Sequence, residues 1–95
     1  MADVEVHTVP ASDGWRCAVT IREGSNQTQH EVTLSRQAYD QLSRGRVSPE
    51  ALVPESFAFL LEREPKQSIL GRFDLTMIGR YFPEFEADLR RRLEH

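Results

Sequence analysis

The chain has one cysteine, Cys17, so it can hold neither an internal disulfide nor a zinc site built from several cysteines. It has no apolar run near the roughly 20 residues needed to span a bilayer. Met1 to Glu5 lacks the basic-then-apolar order of a signal peptide. It has no excess of charge of one sign: twelve basic and fifteen acidic residues leave a net charge of −3. That balance argues against nucleic-acid binding driven by bulk electrostatics. No Gly-rich phosphate loop, dinucleotide fingerprint or nucleophile elbow is present. No two histidines stand at a ligand spacing such as His-x-x-x-His. Together these absences predict a cytoplasmic protein with no membrane contact, no cofactor and no bound metal.

What remains is 95 residues of ordinary globular composition, 39% hydrophobic and 28% charged, enough for one modest core. Residues 1–92 read as a single α+β domain. Leu93-Glu94-His95 resembles the start of a cloning linker and tag.

The N-terminal half alternates with period two, the signature of half-buried strands. Val4 and Val6 share a face in residues 3–8. Trp15, Cys17, Val19 and Ile21 do so in 15–23, and His30, Val32 and Leu34 in 27–34. Short breakers, Pro10 to Gly14 and Gly24-Ser25-Asn26, predict a three-stranded antiparallel meander. Keeping the apolar faces together requires cross-strand partners whose numbers sum to an odd value. A two- or four-residue loop at Gly24 satisfies this, as does pairing Thr8 with Trp15 and Val6 with Cys17.

The C-terminal half predicts three to four short helices packed on one face of the sheet. Ser35 is a good N-cap, with Leu34 and Tyr39 at hydrophobic-staple spacing and a stop before Gly45. Ser48-Pro49 starts another helix. Pro54 should interrupt it, leaving a turn over 49–53 and a helix over 54–64. Phe73-Asp74 is expected to open the next helix, with Asp74 as cap. The last helix carries Phe85 and Leu89 inward and ends in Arg90-Arg91-Arg92, where the helix dipole favours positive charge.

All five phenylalanines and Tyr81 lie between Phe57 and Phe85, with Arg63, Arg72 and Arg80 among them. Gly71-Arg72-Phe73 and Gly79-Arg80-Tyr81 repeat a Gly-Arg-aromatic unit at a spacing of eight. Phe57, Phe73 and Phe85 have inward places on the predicted helices. Phe59 falls off its helical stripe, and Tyr81 and Phe82 cannot both be central. Phe59, Arg63, Arg72, Arg80, Tyr81 and Phe82 therefore form the candidate interaction surface of a non-enzymatic module that binds a protein partner or itself, through this surface or an open sheet edge. One alternative is a regulator that binds a small anion through Arg63, Arg72 and Arg80. Another is a thiol enzyme using Cys17 and His30, both expected on the apolar face of the sheet.

Leu60-Leu61-Glu62-Arg63-Glu64-Pro65, Ser68-Ile69-Leu70, Phe73-Asp74-Leu75, Ile78 and Arg80-Tyr81-Phe82-Pro83-Glu84 resemble a family of small, uncharacterised bacterial proteins. The resemblance covers about a third of the chain. It implies a complete small bacterial protein and carries no function.

Overall fold

The alternating segments form three antiparallel strands, β1 (Asp3–Ala11), β2 (Gly14–Glu23) and β3 (Asn26–Ser35), in a computed structural model that describes residues 2–94. The predicted parity holds throughout: Cys17 pairs with Val32, and Val6 pairs with Val19. The first hairpin is longer than expected, however. β1 runs on to Ala11, so Thr8 lies opposite Cys17 and Pro10 opposite Trp15. The shift of two residues keeps every side chain on its predicted face.

Glycine does specific work at two turns. Gly24 has φ 62° in the two-residue turn between Glu23 and Asn26. Gly14 has φ 141°, and a Cβ there would stand 2.1 Å from the Leu34 carbonyl oxygen. The first hairpin thus packs backbone to backbone against the end of β3, and the Arg36 N–H donates to the Asp13 carbonyl at 3.0 Å.

A fourth strand, β4 (Arg72–Asp74), pairs parallel with β3, giving a mixed sheet in the order β1-β2-β3-β4. This corrects the three-stranded meander and the expected helix start at Asp74. The Asp74 carboxylate accepts from the hydroxyl of Thr33 at 2.7 Å and from the backbone N–H of Thr76 at 3.1 Å. It thereby closes the turn after β4 and ties that turn to β3, and the next helix begins only at Met77, three residues after Asp74.

Four helices follow the chain: α1 (Arg36–Ser43), α2 (Pro49–Leu61), α3 (Met77–Tyr81) and α4 (Phe85–Leu93). Ser35 caps α1, accepting from the Ala38 N–H at 3.0 Å. Pro54 does not interrupt α2, contrary to expectation. The hydrogen bond it forfeits belongs to the carbonyl of Glu50, an exposed residue that water can serve. Leu52, Val53, Ser56 and Phe57, on both sides of the proline, are buried. Leu93, assigned to a linker from sequence, is the last residue of α4 and packs against the core. His95 lies outside the described residues.

The core lies between the odd residues of β2, the even residues of β3 and the helices. Val19, Ile21, Val32, Leu34, Leu52, Val53, Phe57, Phe59, Leu75, Phe85 and Leu89 are all essentially inaccessible. Burial of each such large side chain contributes about 1.5–3 kcal/mol. The opposite face of the sheet, carrying His7, Arg16, Ala18, Glu31 and Arg72, is exposed.

Candidate functional site: an apolar cleft beside the fourth strand

The end of α2, the segment 68–70, β4 and α3 enclose an open cleft of about 460 Å³. Leu60, Ile69, Phe73, Ile78 and Phe82 form its apolar floor and walls. Leu70 and Tyr81 stand on the rim, 51% and 65% exposed. Its only ionisable carboxylate is Glu64, half-buried and without an ion-pair partner among the described residues.

One wall is fastened from below by two residues distant in sequence. His30 is buried on β3, and its Nδ1–H donates to the Leu70 carbonyl at 2.7 Å. Its Nε2 lies 2.9 Å from the Thr28 hydroxyl, so both ring nitrogens have partners. Lys66, the only lysine, is 3% exposed, and its Nζ donates to Glu23 at 3.0 Å beside the second hairpin turn. Lys66 sits in a short 3-10 turn, Lys66–Ser68, that leads directly into the cleft wall.

Of the six residues expected at a surface, the structure gathers two at the cleft. Tyr81 is on the rim, and Phe82 lines the interior while its ring meets Phe59 edge-on at 5.9 Å. Phe59 is fully buried, which corrects its place on the surface. It widens the inner face of α2 and packs on Phe85 at 5.1 Å. Arg63 covers this ring at 3.6 Å and is engaged by Glu84 at 3.0 Å and Asp88 at 3.3 Å. Arg92 extends the cluster, bonding Asp88 at 2.8 Å and Glu62 at 2.6 Å. Hydrogen bonding to Arg92 holds the Glu62 carboxyl below the ordinary glutamate range. This network is a clasp between α2 and α4, and it leaves Arg63 little capacity for a further anion.

Arg72 projects from the opposite face of the sheet, since it alternates with Phe73. Its side chain is 81% exposed, with Glu31 at 3.9 Å. Arg80 is exposed on α3 and does not line the cleft. The three arginines therefore do not share one concavity.

Cys17 is fully buried, and desolvation, with the nearby Glu50 charge, pushes its thiol up to about 11. An activated nucleophile needs a shift in the opposite direction. Cys17 is paired with Val32, and the ring nitrogens of His30 are directed to Leu70 and Thr28. Among the described residues, no group of three or more His, Cys, Asp or Glu comes together as a metal site. Nor is any helix there long and apolar enough to cross a membrane.

Leu70, Met77 and Glu64 were missed as site residues. Ile69-Leu70 is an apolar pair outside any helical stripe, and Met77 and Tyr81 are four residues apart on α3. Those were the available signals. Neither told of the parallel strand that brings the two segments together.

No family model, curated protein or solved structure matches the chain.

Proposed function

We propose that this protein is a non-enzymatic interaction module that seats the apolar face of a partner's amphipathic helix in the cleft beside β4. The observation that carries this reading is the cleft itself: about 460 Å³, apolar inside, with Leu70 and Tyr81 exposed at its rim. Its volume falls within the roughly 300–1,000 Å³ of ligand-binding pockets. Helix-in-groove recognition uses spaced apolar anchors entering such a trough. Glu64 supplies the polar complement, favouring a partner with a lysine or arginine next to its anchors. Tyrosine at the rim suits an interface, being rigid, largely apolar and able to hydrogen-bond. The setting proposed is a reducing bacterial cytoplasm, consistent with Cys17 as a buried free thiol.

The test is selection of helical peptides from a displayed library, followed by NMR titration of the best binder. Shifts should centre on Leu70, Phe73, Met77 and Tyr81, and selected peptides should carry a basic residue beside their apolar anchors. Tyr81→Ala and Glu64→Gln should each weaken binding several-fold while the thermal transition is retained. Peptides that bind elsewhere, or wild-type affinity in both variants, overturn the reading.

A further inference from the structure

We propose that the free edge of β1 is the seam of a two-fold homodimer, in which two copies of β1 pair antiparallel about Val6. β1 is nine residues long and outermost in the sheet. Its pairing with β2 is continuous from Asp3 to Ala11, with no bulge to turn the edge away.

The directions of its backbone groups follow from the hairpins. The two-residue turn makes Glu23 and Asn26 a hydrogen-bonded pair, so odd residues of β2 face β3 and even residues face β1. The Glu31 N–H, which bonds the Gly71 carbonyl in β4, agrees with that alternation. Even residues of β2 pair with odd residues of β1. Val4, Val6, Thr8 and Pro10 therefore point their backbone groups outward, and none has a backbone partner among the described residues. Proline at position 10 fits this edge, because the N–H it lacks is one that would point outward.

Hydrogen bonding and charge at Glu5 select the occupant and the register. Centring on Val6 places Val4 opposite Thr8 of the second copy and Glu5 opposite His7, each contact occurring twice. On the exposed face, an imidazole N–H of His7 can donate to the Glu5 carboxylate, which also accepts from Arg22 at 2.7 Å within its own chain. Centring one residue later sets Glu5 against Val9, which offers it no donor, and one residue earlier sets Glu5 against Glu5. Like charges directly opposite are destabilising. A second copy of this chain thus brings a hydrogen-bond donor, His7, to the Glu5 carboxylate in one central register. Assembly through this seam stops at two, since a two-fold contact uses the same edge of both copies and closes on itself. The cleft lies beside β4 at the far side of the sheet, so this inference does not depend on the cleft's occupant.

Sedimentation velocity from micromolar to near-millimolar protein, with amide exchange by NMR, tests the seam. A dimer is expected in which the Val4, Val6 and Thr8 amides gain protection with concentration, while Glu5 and His7 are protected already by β2. His7→Glu should weaken the dimer about tenfold, and Glu5→Lys with His7→Glu should restore it. Both positions are exposed, and the thermal transition reports any loss of fold. A monomer across the whole range overturns the proposal. So does a dimer without protection at those three amides, or one indifferent to His7→Glu.

Discussion

Replacing Phe59 with alanine is expected to cost about 4 kcal/mol of stability. The ring is fully buried, with Phe82 and Phe85 edge-on at 5.9 and 5.1 Å. Truncating a buried phenylalanine costs about 3–5 kcal/mol, because transfer free energy is lost and the cavity collapses only in part. The Arg63 guanidinium at 3.6 Å loses its aromatic partner, but Glu84 and Asp88 still neutralise it, so no unpaired charge is left behind. A domain of 95 residues has a total stability of about 5–14 kcal/mol. The substitution thus removes a large share, and the melting temperature should fall by about 15–30 °C. Urea titration followed by circular dichroism measures this directly, with the m-value unchanged. The paired control is Tyr81→Ala, at a ring that is 65% exposed, where the expected change is within about 0.5 kcal/mol. A loss below about 1.5 kcal/mol for Phe59→Ala would refute its burial. A Tyr81→Ala loss of similar size to that of Phe59→Ala would refute the division between core ring and rim ring.

Gly14→Ala should destabilise by about 2–4 kcal/mol, since its Cβ must displace the Leu34 carbonyl 2.1 Å away and sit at φ 141°; chemical denaturation checks it. Acid should loosen the clasp between α2 and α4. For Asp88, burial acts to raise the pKa, but the hydrogen bond and charge of Arg92 outweigh it, and Glu62 is lowered chiefly by its bond to Arg92. Carboxylates depressed in the folded state contribute stability above their unfolded values and lose it as pH falls through the folded ones. Stability should therefore hold down to the ordinary glutamate value of 4.5 and decline below it, less steeply in Arg92→Met, as followed by thermal scans against pH. Cys17, buried with its thiol pushed up to about 11, should resist iodoacetamide at neutral pH until the protein opens. Alkylation of native protein at the rate of a free thiol would contradict this.

The sheet was largely legible in the sequence, because period-two alternation sets the face of each residue and parity limits the register. The length of the first hairpin was not, since Val9 and Pro10 continue the pairing with little burial to mark it. β4 was illegible: three residues are too few for a period, and its partner Val32 lies some forty positions away. Pro54 misled because local propensity favours a break, whereas the buried side chains around it hold one helix together. Phe59 was ambiguous for a related reason. α2 is apolar on most sides, and only the docking of α4 with Arg63 above the ring shows why. The cleft depends on that tertiary arrangement, so only two of its rings, Tyr81 and Phe82, were among the expected residues.

The parallel pairing of β4 with β3 has a kinetic consequence. β1, β2, β3 and α1 are linked by tight turns and can assemble from neighbours in the chain. Val32 and Phe73, by contrast, meet only after a loop of about forty residues has closed. The joint is three residues wide, backed by His30 on Leu70 and Lys66 on Glu23. That marks β4 and the cleft wall as the last part to form and the first to open, a separate unit of local unfolding. A partner that fills the cleft would then act as a late folding contact, completing by binding what the chain joins by its narrowest seam.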